Sequence, residues 1–231
     1  MAKIRTGAVV GQISGSIAGT TFSRNRGGTY IRNRSIPSLA TSDAAMNAKN
    51  RLALVSQRFQ ALTQAQRDAW TAFARQNTVT DVLGEQISLS GHGMHNRINA
   101  RLEQAGDALL DDPPTLPPPD GLEDLSLEAD IGDGDFQITF APDADENQRV
   151  WVWTAVVSSA GVNYVQNLLK LTTVSDADAD SPLDIESDTA DRWGTLQVDQ
   201  TVHVMAQLMD TRTGLVSGLR RTRATIIEST P

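Results

Sequence analysis

The stretch Asp111-Asp-Pro-Pro-Thr-Leu-Pro-Pro-Pro119 divides the chain into two parts that differ in hydrophobic periodicity. Five of the nine prolines lie within it, and so proline-rich a segment favours an extended polyproline conformation over a helix or a central strand. Before this stretch apolar residues recur every three to four positions, and after it they recur every two. The sequence therefore predicts an α+β chain with a Pro-rich linker at residues 111–120.

Residues 38–110, which precede the linker, predict a small helical subdomain of three short helices. Ser42, Thr63 and Ser90 each stand where a side-chain oxygen can cap a first helical turn, and Thr63 with Gln66 makes a capping-box pattern. The residues expected to face inward follow helical spacing: Leu52, Val55, Phe59 and Leu62, then Gln66, Ala69, Trp70 and Phe73, then Met94, Ile98, Leu102 and Ala105.

Residues 121–231, which follow the linker, predict an acidic domain of short antiparallel strands. Alternating apolar residues mark the runs 122–127, 136–140, 150–153 and 201–205, together with a run that starts at Tyr164. Several such strands separated by turn sequences are typical of a β-sandwich of immunoglobulin or fibronectin-III type. Trp153 is expected in its core, and Trp151 on the other side of the sheet.

Residues 1–37 predict a basic, Gly-rich arm that contains a β-hairpin. Two β-prone runs flank the turn sequence Asn25-Arg-Gly-Gly28, Pro37 ends the segment, and the first acidic residue of the chain is Asp43. A segment with charges of one sign and little apolar mass needs a partner to order it, and we expect that partner to be acidic. The candidate partner-binding residues are Phe22, Arg24, Arg26, Tyr30, Arg32 and Arg34.

The predicted fold class is thus α+β: an extended Gly-rich β-hairpin arm, a small helical subdomain and a C-terminal immunoglobulin/fibronectin-III-like antiparallel β-sandwich. Charge is divided unevenly along this order. Residues 1–104 hold 13 Lys+Arg and 5 Asp+Glu, a net of +8, whereas residues 105–231 hold 7 and 23, a net of −16. This asymmetry indicates partner binding through the basic half, or head-to-tail self-association of copies in a symmetric assembly.

Catalytic and metal-binding chemistry finds little support in the sequence. The chain has no cysteine and only three histidines, and it lacks the nucleophile-elbow and phosphate-loop motifs. The acidic run from Asp176 fails the EF-hand pattern, because Ser181 and Ser187 stand where that loop needs Gly and Glu; whether the run binds calcium stays open. We therefore expect no enzyme activity, no cofactor and no metal site.

Membrane and nucleic-acid partners differ in how well the sequence supports them. No apolar stretch is long enough for a membrane helix and no signal-peptide core is present, so a membrane partner is not expected. Nucleic acid is a possible partner of the arm, since aromatic residues alternate with arginines that can contact phosphates. The charge of −16 in the other half repels a polyanion, which favours a protein partner.

Several motifs in residues 7–118 resemble a family of virion structural proteins encoded by tailed bacteriophages and prophages. They are Phe22-Ser-Arg-Asn-Arg-Gly-Gly-Thr-Tyr-Ile-Arg32, Gln66-Arg-Asp-Ala-Trp70 with Phe73-Ala74, and Leu89-Ser-Gly91 with Gly106 before the Pro-rich stretch. This family is of the minor capsid or cement type with a Gly-rich basic N-terminal arm, and the resemblance implies neither a catalytic activity nor a cofactor.

The resemblance implies a non-enzymatic component of the virion, assembled in the host cytoplasm. The expected function is that of a capsid cement, decoration or minor capsid protein that binds the major capsid protein, or another virion protein, through its basic arm. One alternative is a structural component of the neck, the tail or the fibre base. An alternative of another class is a nucleic-acid-binding assembly factor that uses the same arginines.

Overall fold

The computed structural model describes residues 2–4, 13–34, 42–80, 84–132 and 135–228. The arm contains β1 (Ala2–Lys3), β2 (Gly15–Ile17), β3 (Thr20–Asn25) and β4 (Gly28–Asn33). The middle part contains α1 (Asp43–Ala61), α2 (Gln64–Gln76), β5 (Val79–Thr80), β6 (Gln86–Ile87) and α3 (Gly91–Ala105). The C-terminal part contains β7 (Asp124–Asp130), β8 (Asp135–Ala141), β9 (Gln148–Val157), β10 (Lys170–Ala177), β11 (Leu183–Asp184), α4 (Glu186–Trp193), β12 (Thr201–Asp210) and β13 (Arg220–Thr225). The chain is therefore a mixed α+β protein.

The predicted caps place the starts of the first three helices correctly. The Ser42 side chain accepts a hydrogen bond from the Ala45 backbone N–H, and Ser90 accepts one from Gly93. Thr63 and Gln66 form the reciprocal capping box, so α2 begins almost directly after α1. These three predictions are confirmed.

Helices α1, α2 and α3 pack around one apolar cluster. Its buried members are Leu62, Trp70, Ala74, Met94, Ile98 and Leu102, joined by Trp151 and Met209 from the C-terminal part. The prediction that Leu52 faces inward is wrong, because its side chain is 54% exposed. Arg51 of α1 contacts Gln104 at the end of α3 (Nη1 to Oε1, 2.8 Å), so the residues around Leu52 lie near the point where α3 ends.

Two antiparallel sheets build the C-terminal part. One has the strand order β10-β9-β12-β13 and the other the order β11-β8-β7. Apolar residues of both sheets form one cluster, which includes Phe136 and Ile138 of β8, Val150 of β9 and Val204 of β12. Every residue of β12 is buried. This burial follows from its central position, since alternate β12 residues contact the inter-sheet cluster and Met209 contacts the helices.

Two expectations for the C-terminal part are wrong, and two of its elements were not predicted. Trp151 and Trp153 lie on the same face of β9, two residues apart, and both contact the helical cluster, whereas Val150 and Val152 face the inter-sheet core. The run from Tyr164 is not a strand, because residues 158–169 connect β9 to a strand that begins only at Lys170. Helix α4 and strand β13 were not expected, since the sequences of both are largely polar.

The helices are anchored to the sheet β10-β9-β12-β13 by polar contacts as well. The Arg149 guanidinium of β9 donates to both Asp107 carboxylate oxygens (2.9–3.2 Å), directly after α3. These hydrogen bonds raise the pKa of Arg149 above its ordinary value. Arg101 of α3 donates to the Gly214 carbonyl oxygen (3.3 Å), and burial lowers the pKa of Arg101 to about 10. Trp70 Nε1 of α2 donates to the Asp111 carbonyl, at the start of the Pro-rich segment (2.7 Å). The prediction that residues 111–120 divide the chain into domains stays a prediction.

His95 makes the stability of the helical cluster dependent on pH. Its ring is fully buried between Phe59 and Trp70, with ring centroids 5.1 Å from each, and Nε2 has no hydrogen-bond partner. Burial lowers the His95 pKa. The charges of His92 and Arg58 lower it further, whereas Asn96 and Asp111 act in the opposite direction. The histidine therefore binds a proton more readily in the unfolded chain than in the folded one. As a result, the free energy of unfolding decreases as pH falls below 6.5, the ordinary pKa of a histidine.

We expect the free energy of unfolding to decrease below about pH 6.5, by up to about 1.4 kcal/mol per pH unit from His95. Urea unfolding at about pH 7.5 and about pH 5.5 measures this slope. His95→Gln should remove the contribution of His95 to this pH dependence. His203→Gln should remove a separate contribution, because burial lowers the pKa of His203 as well. An unchanged slope in the double variant would contradict the assignment.

Candidate functional site

The arm folds as a four-stranded antiparallel sheet of order β1-β4-β3-β2. Its centre is the hairpin of β3 and β4, whose last paired residues are Asn25 and Gly28. The Asn25 side chain accepts a hydrogen bond from the Gly27 N–H (2.9 Å), and Gly28 has a φ of +108°, which a residue with a Cβ rarely adopts. The predicted hairpin turn is therefore confirmed.

The strand register gives the arm two different faces. Phe22 pairs with Ile31 and Arg24 with Thr29, and these residues share a face with Ile17; we call this the apolar face. Ser23 pairs with Tyr30 and Thr21 with Arg32, which places these residues on the opposite side. We call this side the basic face and define it by Ser16, Thr21, Ser23, Tyr30 and Arg32, together with Arg34. Arg34 follows β4 and continues its pairing, because its N–H donates to the Gly19 carbonyl (2.6 Å).

The six predicted partner-binding residues are brought into one small sheet but not onto one surface. Phe22 and Arg24 lie on the apolar face, whereas Tyr30, Arg32 and Arg34 belong to the basic face. Arg26 lies in the turn at the tip of the hairpin. One flat partner surface therefore cannot contact all six residues. Strand alternation was the sequence signal that separates the two groups.

The described residues of the arm form no hydrophobic core. No residue in 13–34 is buried, and Ile17 is 71% exposed. The extensive contacts of its strands are with one another. A small sheet needs a covered apolar face for independent stability, and the apolar face of the arm is not covered by the described residues.

Arg24, Arg26, Arg32 and Arg34, which we call the four arm arginines, are all exposed, and none of them has an ion-pair or hydrogen-bond partner for its side chain among the described residues. Three arginines outside the arm form ion pairs: Arg58 with Asp111 (2.7 Å), Arg149 with Asp107 (2.9 Å) and Arg212 with Asp210 (2.9 Å). The arm guanidinium groups therefore remain available for carboxylates or phosphates.

A second uncovered face was missed by the sequence reasoning. On the outer side of the sheet β11-β8-β7, Ser126 pairs with Thr139, while Glu128 and Asp184 both oppose Gln137. We define the acidic face by Asp124, Ser126, Glu128, Thr139 and Asp184, all of which are exposed. The alternation of polar and apolar residues in Asp124-Leu-Ser-Leu-Glu128 was the available signal.

Other candidate sites are less developed. Among the described residues, no group of three or more His, Asp or Glu side chains could hold a metal ion. In the acidic run, the Asp178 N–H donates to the Asp145 carbonyl (3.2 Å), and the Asp176 carboxylate lies 3.6 Å from the Arg149 guanidinium. Within the same described ranges, no helix has the length and apolar character that crossing a membrane requires.

Comparison with known proteins finds no matching family model, no matching curated protein and no matching solved structure.

Proposed function

We propose that this protein is a non-enzymatic structural component of a tailed-bacteriophage virion, a capsid cement, decoration or minor capsid protein. Its arm binds an acidic surface of the major capsid protein. The observation that carries the proposal is the arm itself: an exposed sheet without a core whose four arginines have no partner among the described residues. The resemblance of residues 7–118 to virion proteins supports the assignment to a virion.

Charged and apolar groups of the arm both contribute to its binding in the particle in this proposal. An exposed arginine–carboxylate pair contributes about 0.2–1 kcal/mol, so the four arginines together supply only a few kcal/mol. Covering Ile17, Phe22 and Ile31 adds to this at about 25 cal/mol per Å² of apolar surface removed from water. The apolar contact therefore supplies much of the affinity, and the arginines supply the preference for an acidic partner.

The C-terminal part fits a fibronectin-III-like sandwich, which we propose as its fold. A three-stranded sheet of order β11-β8-β7 and a four-stranded sheet of order β10-β9-β12-β13 share one apolar cluster. Seven strands divided in this way between two antiparallel sheets are typical of immunoglobulin-like sandwiches. Such a domain suits an outward-facing module of a virion, kept soluble by its acidic surface.

A nucleic-acid-binding assembly factor is the second candidate, and one observation favours it. Tyr30, Arg32 and Arg34 share the basic face, where an aromatic ring and two guanidinium groups could contact a base and its phosphates. The net charge of −16 in residues 105–231 favours the protein partner. A place in the neck, the tail or the fibre base would use the same arm with fewer copies.

Quantitative mass spectrometry of purified particles, normalised to the major capsid protein, tests the proposal. We expect an abundance comparable to that of the capsid protein. Replacing the four arm arginines by alanine should lower incorporation at least tenfold, roughly 1.4 kcal/mol of binding free energy. The matched control removes the same charge from exposed basic residues outside the arm: Lys49, Arg75, Arg97 and Arg192.

A chain that begins at Ser38 and still enters particles as well as the full chain does would refute the role of the arm. A copy number typical of a single ring would move the protein to the neck or tail. Absence from particles, combined with salt-sensitive binding of duplex DNA that the arginine replacements abolish, would favour the assembly factor.

A further inference from the structure

The chain carries two flat, uncovered sheet faces of opposite charge. The basic face of the arm presents Arg32 and Arg34, and the acidic face presents Asp124, Glu128 and Asp184. No ion pair is formed by these five side chains among the described residues. The Asp184 carboxylate accepts a hydrogen bond from the Glu186 N–H (2.9 Å), which leaves its second oxygen available.

The two faces also match in the arrangement of their uncharged residues. On the arm, Ser16 and Thr21 are hydrogen-bonded to each other through their hydroxyls (2.8 Å), next to Arg32. On the acidic face, Ser126 and Thr139 are paired between Asp124 and Glu128, and they line a shallow depression. Stacked sheets lie about 10 Å apart, a separation that an extended arginine side chain on one sheet can bridge to a carboxylate on the other.

We propose that the basic face of one copy docks on the acidic face of a second copy of this chain. This inference rests on the proposed function and refines it: Arg32 and Arg34 of the basic face bind a neighbouring copy in the particle, and the apolar face, with Arg24 and the turn residue Arg26, binds the major capsid protein. The argument for a second copy is charge complementarity: each copy carries both faces. Such a head-to-tail contact is heterologous, so it closes a ring or continues along a lattice.

The size of the contact indicates how it operates. Strands of six residues at about 3.4 Å per residue, three to four strands wide at about 4.8 Å, cover about 300 Å² on each partner. The total of about 600 Å² is below the size of a stable isolated interface. The contact is therefore weak in solution and gains strength when many copies are held side by side. Salt weakens it, because the charges are exposed.

Cysteine-directed crosslinking tests the contact, and the chain has no cysteine of its own. One full-length preparation carries Thr21→Cys on the basic face, and a second carries Thr139→Cys on the acidic face. A short bifunctional maleimide is suitable, because faces about 10 Å apart are too distant for a disulfide. The matched control is Thr20→Cys, the neighbouring residue of β3 with its side chain on the opposite face.

We expect the heterodimer of the Thr21 and Thr139 variants to form at least fivefold more than that of the Thr20 and Thr139 variants, and to decrease in about 0.5 M NaCl. Adding Arg32→Glu and Arg34→Glu to the Thr21→Cys chain should abolish the excess of this heterodimer over that of the Thr20 variant. Adding Asp124→Lys and Glu128→Lys to the second chain should then restore it. Equal crosslinking from Thr20, no crosslinking, or indifference to charge reversal would each overturn the proposal.

Particle incorporation separates this inference from the proposed function. If crosslinking fails while the arm arginines are still needed for incorporation, the second copy is not the partner and the capsid role stands. If the arm variants enter particles at the normal level, the proposed function fails whatever the crosslinking shows. Duplex DNA that binds the basic face of a chain unable to crosslink would assign that face to nucleic acid instead.

Discussion

Replacing Gly214 by valine is expected to lower the free energy of unfolding by about 2–5 kcal/mol. Gly214 has a φ of +61°, where a β-branched residue is strained by about 1–2 kcal/mol. A Cβ there would lie 2.9 Å from Ile98 Cγ2 and 3.0 Å from both the Ile98 carbonyl oxygen and Leu102 Cγ. Because the carbonyl belongs to the backbone of α3, it cannot move aside, and overpacking adds about 1–3 kcal/mol.

Gly106→Val is the matched control, and urea unfolding near neutral pH measures both variants. Gly106 has a φ of +78°, but no atom lies within 4 Å of where its Cβ would be. It therefore carries the backbone strain without the collision, and we expect a loss of about 1–2 kcal/mol. Equal losses in the two variants would mean that close packing of α3 against the loop after β12 contributes little to stability.

Trp70→Ala is expected to lower the free energy of unfolding by about 3–5 kcal/mol, measured in the same way. The Trp70 side chain is fully buried at the centre of the helical cluster. Its ring lies 5.1 Å from that of His95 and 5.9 Å from that of Phe73, both edge to face. Alanine would leave a cavity among the three helices, and the packed side chains around it can relax into it only in part.

Trp70→Phe separates the packing from the hydrogen bond to the Asp111 carbonyl. Phenylalanine retains most of the apolar volume but loses the Nε1 donor, so we expect a loss of about 1–2 kcal/mol. If Trp70→Phe were as damaging as Trp70→Ala, the hydrogen bond rather than the buried ring would hold residue 111 and the helices together.

Local signals predicted the elements whose ends depend on neighbouring residues. The caps at Ser42, Thr63 and Ser90 and the hairpin turn before Gly28 are where the sequence placed them. Each is settled by a hydrogen bond or a backbone angle within a few residues. Polar elements were missed: α4 and β13 have few apolar residues, and they are held by pairing and packing against strands such as β12 and β10 rather than by an apolar pattern of their own.

The candidate site was predicted as a set of residues and not as a surface. Phe22, Arg24, Arg26, Tyr30, Arg32 and Arg34 were identified by type and nearness in sequence. Their division between the apolar face and the basic face depends on the register of β3 with β4. The same dependence applies to Trp151 and Trp153, whose shared face was misassigned although their spacing of two residues implies it.

The sequence by itself determined the α+β class, the helix starts, the hairpin turn and the division of charge, because these follow from composition and from interactions between near neighbours. Tertiary structure alone decided that β12 is buried along its whole length and that Gly214 packs closely against Ile98 and Leu102 of α3. It also decided that the acidic face stays uncovered. The physical reason is that burial depends on which distant segments pack together, and a period of two or of 3.6 residues shows which side is apolar but not what covers it.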